Sequence, residues 1–223
     1  SYKQKFDSLV PSAKKNVSKL VTIQEGCDKF CSFCVVPYTR GAEFSRPVEQ
    51  IFAEIKHLSN NGAKEITLLG QNVSSYNSDI FEYGEKKKVS LGYLCKIITK
   101  INGIKRIRYL TSHPNDIDQN LINEHKENTK MMPFLHLPVQ AGSNKILKNM
   151  NRKHTREFYL ELIKKIKEHI PDMAFSSDFI VGYPGETDLD FQETLDLIEK
   201  VKFASSYSFK YSARPGTPAS IKK

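Results

Sequence analysis

Short apolar runs alternate with amphipathic stretches along this chain, and nearly every run ends in a glycine-rich or polar turn. A first strand is expected from about Leu20 to Gln24. Val48, Ile51, Ile55 and Leu58 then recur at helical spacing behind Pro47, which suits a first helical turn, and Gly62 closes that helix. A second strand, Glu65–Leu69, runs into Gly70-Gln71-Asn72. Leu91, Leu94, Cys95, Ile98 and Ile101 line one side of the next helix. Strand three alternates Ile107, Tyr109 and Thr111 and ends at Ser112-His113-Pro114-Asn115, with a helix from about Asp116. Strand four, Phe134–Leu137, leads into Pro138-Val139-Gln140-Ala141-Gly142-Ser143. Of two helical pieces after it, the longer is capped by Thr155, buries Tyr159, Leu162, Ile163, Ile166 and Ile170, and stops at Pro171. Strand five spans about Ala174 to Val181; Thr187 caps a helix with a core face of Phe191, Leu195, Ile198 and Val201. Strand six alternates Tyr207, Phe209 and Tyr211 and ends at Ser212-Ala213-Arg214-Pro215-Gly216. Residues 73–90 form a polar stretch ending in Lys86-Lys87-Lys88, expected as an exposed insertion or a contact for phosphates.

Six strand-then-helix units demand parallel strands joined by right-handed crossovers. The polar turns follow the strands, so parallel pairing gathers them at one sheet edge, where α/β barrels place their active sites. Six units cannot close the eight-fold barrel. The expected fold is therefore α/β, an open partial (β/α)6 TIM-like barrel, with a flat doubly wound sheet as the alternative. Residues 1–19, polar and lysine-rich, are expected as a lead-in, and 20–220 as one core domain. The chain starts without Met, so an excerpt of a longer protein is expected.

Composition narrows the class. At 39% hydrophobic and 26% charged residues the chain is of soluble, globular type, with no apolar run near a membrane span and no apolar signal core. The formal charge of +9 favours a polyanion such as RNA, although lysines beside glutamates on helices also serve as solvated faces. The absence of a secretion signal and the crowding of three of the four cysteines point to reduced thiols and a cytoplasmic setting.

Those three lie in Gly26-Cys27-Asp28-Lys29-Phe30-Cys31-Ser32-Phe33-Cys34, directly after strand one. A structural zinc takes four ligands, and no histidine is close in sequence. A redox pair Cys31–Cys34 would leave Cys27 idle. A 4Fe–4S cluster with three thiolates and one open iron suits the count best. The remote Cys95 sits within an apolar stripe and reads as a core residue.

The residues also carry a resemblance. Cys27-x3-Cys31-x2-Cys34, with Phe33 before the last cysteine, resembles the radical S-adenosylmethionine (SAM) signature. Val35-Val36-Pro37-Tyr38-Thr39-Arg40-Gly41 and Ser45-Arg46-Pro47 resemble the tRNA methylthiotransferases, and Leu69-Gly70-Gln71-Asn72-Val73 their branch acting on isopentenyl-adenosine beside the anticodon. Leu135–Ser143, Met150-Asn151-Arg152, Ser177–Thr187 and Tyr211–Ala219 continue the similarity, which covers about residues 6–220.

The resemblance implies a cluster held by Cys27, Cys31 and Cys34, with SAM on the open iron. Reductive cleavage would give methionine and a 5′-deoxyadenosyl radical that opens adenine carbon 2 to sulfur, and a second SAM would supply the methyl group. It further implies SAM contacts at Phe33, Val36, Gly70, Gln140, Ser143 and Asp178. Arg40, Arg46, Arg152 and Arg214 are implied for the SAM carboxylate or RNA phosphates. Ser143 reads equally as a helix cap, Asp178 and each arginine equally as structural ion pairs, and His113 and His136 as packed residues. The implied partners are tRNA and a flavodoxin- or ferredoxin-type electron donor, with a monomeric chain and no membrane. Relatives modifying threonylcarbamoyl-adenosine or a ribosomal protein remain alternatives, as does a non-catalytic, zinc-stabilised RNA-binding module. The family also carries an N-terminal domain with a second 4Fe–4S cluster and a C-terminal RNA-binding β-barrel. Neither is expected in this chain, which alone should cleave SAM without completing methylthiolation.

Overall fold

The computed structural model describes residues 16–222. Most of the expected lead-in, residues 1–15, therefore lies outside the described residues, while Ser18 and Lys19 already belong to a strand. In chain order the elements are β1 (Ser18–Thr22), β2 (Gln24–Glu25), α1 (Val36–Arg40), β3 (Phe44–Ser45), α2 (Val48–Asn60) and β4 (Glu65–Leu69). Then come β5 (Asn77–Glu82), β6 (Glu85–Ser90), α3 (Leu91–Ile98), β7 (Arg106–Tyr109), α4 (Gln119–Glu127) and β8 (Phe134–His136). The chain continues with α5 (Asn144–Asn149), α6 (Arg156–His169), β9 (Ala174–Val181), α7 (Asp188–Val201) and β10 (Ser205–Lys210). No described helix is long and apolar enough to cross a membrane.

Packing divides the chain into two compact units. One holds the segment ending at Gly26 with Glu43–Thr111 and Ile117–Met132; the other holds Cys27–Ala42, Ser112–Asp116 and the segment from Pro133 onward.

The first unit is built on a parallel sheet ordered β1-β4-β7, with Leu20 opposite Thr67 and Leu68 opposite Tyr109. The nearly unbroken apolar run Ile66-Thr67-Leu68 suits the central strand, which is covered on both faces. All the apolar positions expected on α2 and α3 are buried, Cys95 among them. At Gly92 an added Cβ would fall 2.7 Å from the Leu121 amide nitrogen, so the approach of α3 to the start of α4 requires glycine. The expected first strand is split: β1 ends at Thr22, and Gln24–Glu25 pairs antiparallel with β3.

The polar stretch 73–90 is not an irregular insertion. After a 3-10 turn at Val73–Ser75 it forms an antiparallel hairpin, β5 on β6, in which Ser78, Ile80 and Val89 are buried. Tyr83 and Gly84 turn it with φ of +52° and +85°, the left-handed pair of a tight hairpin turn. Two of its lysines face acids inside the hairpin, Lys86 Nζ 2.9 Å from Asp79 and Lys87 Nζ 3.6 Å from Glu82.

The second unit carries a parallel sheet ordered β10-β9-β8, with Tyr207 opposite Asp178 and Leu135 opposite Phe175. The helical face expected on α6 is buried as a whole. One expectation fails here. On α7 the buried side is Asp190, Thr194, Leu197 and Val201, while Leu195 is exposed. The reason is polar: the Gly142 amide donates to Thr194 Oγ1 (2.8 Å) and Ser143 Oγ to Asp190 Oδ1 (2.7 Å), turning those residues inward. A Cβ on Gly142 would lie 2.4 Å from the Glu193 carbonyl oxygen, so the loop after β8 lies directly against α7. Strand β10, with its alternating Tyr207 and Phe209, is the sheet's edge strand and is exposed on both sides among the described residues.

Candidate iron–sulfur and SAM site

In the second unit the three clustered cysteines sit on one loop and the entry to α1. The loop is tied at both ends by its own backbone: Cys27 N donates to Gly41 O (3.3 Å) and Cys34 N to Cys31 O (2.9 Å). Between them Ser32 N donates to Met150 O and Ser32 O accepts from Ala219 N. Lys29 Nζ pairs with Asp116 at 2.7 Å, and Asn151 Nδ2 donates to Phe30 O at 2.8 Å. Backbone and side-chain groups from three other segments, at Asp116, Met150–Asn151 and Ala219, thus hold the loop.

Cys31 is buried, while Cys27 and Cys34 are partly exposed. Burial pushes the Cys34 thiol up and the nearby Cys31 adds to this, against the Val36 amide and Arg152, which pull it down. Buried Arg152 reaches Cys31 Sγ with Nη1 (3.4 Å) and donates from Nη2 to Pro138 O (2.6 Å), leaving its Nε without a hydrogen-bond partner. The buried Arg152 guanidinium beside Cys31 favours anionic sulfur donors there, as a thiolate-held group presents. Among the described residues no three His, Cys, Asp or Glu side chains converge on a single metal ion. Three free thiols on one loop, with the Arg152 guanidinium beside Cys31, are a donor set that fits an iron–sulfur cluster held by thiolates.

Other expected residues of this unit fall around the sheet. Phe33 and Val36 are half-buried, and Val36 opens α1. Gln140 continues past β8, its amide donating to Asp178 O (3.0 Å) and its carbonyl accepting from Ile180 N (2.9 Å). It does so at φ +79°, a left-handed conformation that marks strain held by the surroundings. Asp178 Oδ2 lies 3.4 Å from His136 Nε2, and His136 Nδ1 lies 2.8 Å from Ser176 Oγ. Ser143 starts α5 without capping it through its side chain; its hydroxyl serves Asp190 instead. Arg40 and Arg214 are exposed. His113 and His154 pack edge to face with centroids 5.7 Å apart, and burial lowers them to about 2 and about 4.

The remaining two belong to the first unit. Buried Arg46 is committed to the fold: it forms an ion pair with Glu54 and donates to Thr22 O (3.3 Å). Gly70 lies against Gln24, where an added Cβ would meet Gln24 Oε1 at 2.6 Å. Gln24 itself was missed by sequence reasoning. It is fully buried, donates from Nε2 to Gly26 O (3.0 Å) and accepts from Asn72 N (3.2 Å), while Gly26 N donates to Gln71 Oε1 (2.7 Å). Its signal is a lone amide at the end of an apolar strand, two residues before a glycine. Asp190 was also missed, because an acid in a helix's first turn ordinarily reads as a dipole partner.

Residues 21–198 match the family model described as the radical SAM superfamily, and the chain belongs to that superfamily. Its fold is correspondingly α/β, of the open partial-barrel type. Among curated relatives it is similar to proteins named tRNA-2-methylthio-N(6)-dimethylallyladenosine synthase. It is 59% identical to that of Orientia tsutsugamushi (strain Boryong) over 220 residues, covering 98% of this chain and 48% of the relative. To that of Wolbachia pipientis subsp. Culex pipiens (strain wPip) it is 57% identical over 222 residues, covering 98% and 50%. The chain thus spans about half the length of these relatives. Among solved structures it superposes on the radical SAM methyltransferase TsrM of Kitasatospora setae, which has cobalamin and a [4Fe-4S] cluster bound, with a TM-score of 0.70. Identity there is 15%, covering 91% of this chain and 38% of TsrM. For coproporphyrinogen III oxidase (HemN) of Escherichia coli the TM-score is 0.61 at 16% identity, covering 91% and 46%.

Proposed function

We propose that residues 20–220 form the catalytic core of a tRNA methylthiotransferase that adds a methylthio group to carbon 2 of isopentenyl-adenosine next to the anticodon. The observation that carries this reading is the three-thiol loop, in a chain 59% identical to a synthase of that specificity. Cys27, Cys31 and Cys34 hold a 4Fe–4S cluster as thiolates, and the Arg152 guanidinium beside Cys31 offsets part of their charge. When bound, the cluster supplies the electron for reductive cleavage of SAM to a 5′-deoxyadenosyl radical.

The protein's own contribution is placement and exclusion of water. Phe33 and the backbone at Val36 wall the adenine. Gln140, pinned at a strained φ, and Asp178, within β9, offer polar groups to SAM. Ser143, its hydroxyl held by Asp190, offers a further polar group from the same loop after β8. Exposed Arg40 and Arg214 meet the SAM carboxylate or RNA phosphates. The partners are tRNA and a flavodoxin- or ferredoxin-type donor, and the protein works as a cytoplasmic monomer.

Anaerobic reconstitution should load about four irons per chain. Dithionite with SAM should then release 5′-deoxyadenosine, and nucleoside mass spectrometry of tRNA from cells lacking the gene should show isopentenyl-adenosine without its methylthio product. Tight stoichiometric zinc in place of iron, or unchanged methylthio product in those cells, would overturn this assignment.

A further inference from the structure

Two aromatic side chains on the cysteine loop are left in solvent. Phe30 precedes Cys31 and is 51% exposed; Tyr38 lies in α1, which begins two residues after Cys34, and is 56% exposed. Their rings meet edge to face, with centroids 6.3 Å apart and planes at 79°. Neither buries its apolar surface in the core, so hydrophobic packing does not account for their placement.

The backbone is also arranged to keep them there. Phe30 adopts φ +50°, a conformation that bulky residues avoid. It is retained by Asn151, itself at φ +59°, whose side-chain amide donates to Phe30 O at 2.8 Å. On the other side Lys29 is locked to Asp116 at 2.7 Å. Strain held by neighbours on both flanks is the signature of a functional position rather than of a slack loop. Arg40, exposed two residues beyond Tyr38, adds positive charge to the same helix.

Rigid, exposed aromatic rings beside a cation are the common means by which proteins hold unstacked nucleobases, since every base has a π-face to stack. We propose that Phe30 and Tyr38 form a stacking platform for an unpaired nucleobase of the RNA substrate, next to the loop that carries the cysteines. This rests on the tRNA reading above and names how that substrate is seated. The pair touches RNA, not SAM, and acts on the proposed reaction by positioning.

The test uses the full-length, cluster-loaded protein and an anticodon stem-loop RNA carrying isopentenyl-adenosine, with affinity read by fluorescence anisotropy. Phe30→Leu and Tyr38→Leu should each weaken binding about 5- to 150-fold, the range of base–aromatic stacking. Phe30→Tyr and Tyr38→Phe, which keep a ring, should bind within about twofold of the parent, since stacking needs only the π-face. Cluster absorbance and the 5′-deoxyadenosine formed from SAM without RNA should stay at parent levels. Unchanged RNA affinity in the leucine variants, or parallel loss of cluster or RNA-free SAM cleavage, would overturn the platform alone. Failure of the parent protein to bind the RNA would overturn the tRNA reading with it.

Discussion

The His125 imidazole lies beside the Tyr109 hydroxyl, 2.7 Å from its Nε2, and its buried Nδ1 has no hydrogen-bond partner. Burial lowers it to about 4, so it stays neutral in the folded protein. The unfolded chain takes up the proton first, near 6.5. Stability is therefore complete above that value and falls as the pH drops from 6.5 to about 4, by about 3 kcal/mol from this group. His113 and His154 act with the same sign. Urea denaturation at several pH values should reveal this slope, and His125→Phe should flatten it. Asp190 works in the opposite range. Its carboxylate accepts from Lys145 Nζ (2.7 Å), Ser143 Oγ (2.7 Å), and both the hydroxyl and amide of Thr187 (2.7 and 2.9 Å). These donors hold it well below the usual carboxylate range, so the stability it adds is present above about 3.8 and lost in stronger acid. Asp190→Asn should cost about 1.5–3 kcal/mol at neutral pH and remove that acid limb. The sequence signalled the cysteines, because three thiols in eight positions have few other uses. It did not signal Asp190, Gln24 or the strained Phe30, since their importance lies in partners that only folding brings near.

Elements with an apolar periodicity were legible almost to the residue. The faces of α2, α3 and α6 follow directly from burial of residues spaced three and four apart. The face of α7 was not legible, because what it buries is Asp190 and Thr194, satisfied by groups from the loop after β8. The β5–β6 hairpin was hidden by its lysines and by Tyr83, which stands where a tight turn usually shows Asn or Asp. Helix caps were read correctly: Thr155 accepts from Phe158 N, and Thr187 with Asp190 completes a capping box. Thr155→Ala should therefore lower the stability of the second unit by about 1 kcal/mol, measurable as a drop in the denaturation midpoint. Gly142→Ala should cost more, roughly 1–3 kcal/mol or beyond, since its Cβ meets helix backbone rather than a side chain that can swing away.

At the scale of the molecule, parallel order was legible because strands alternated with helices, and six strands do form two three-stranded parallel sheets. The division into two units was not, because it depends on which loops pack together and not on any composition break. The charge of +9 has a direct test: if RNA is the polyanion, the logarithm of its affinity should fall linearly with that of the salt concentration, with a slope counting the phosphates neutralised.

The open edge of β10 has a practical consequence for handling the protein. Among the described residues Ser205–Lys210 pairs only with β9, so its outer row of backbone donors and acceptors is unpaired there, with Tyr207 and Phe209 more than half exposed and no proline to interrupt it. Such a strand is a template for the same strand of another molecule, and only Lys210 at its end acts as a charged gatekeeper. Concentrated preparations of this chain should scatter light increasingly with time, and Tyr207→Lys should slow that growth while leaving the denaturation midpoint in place.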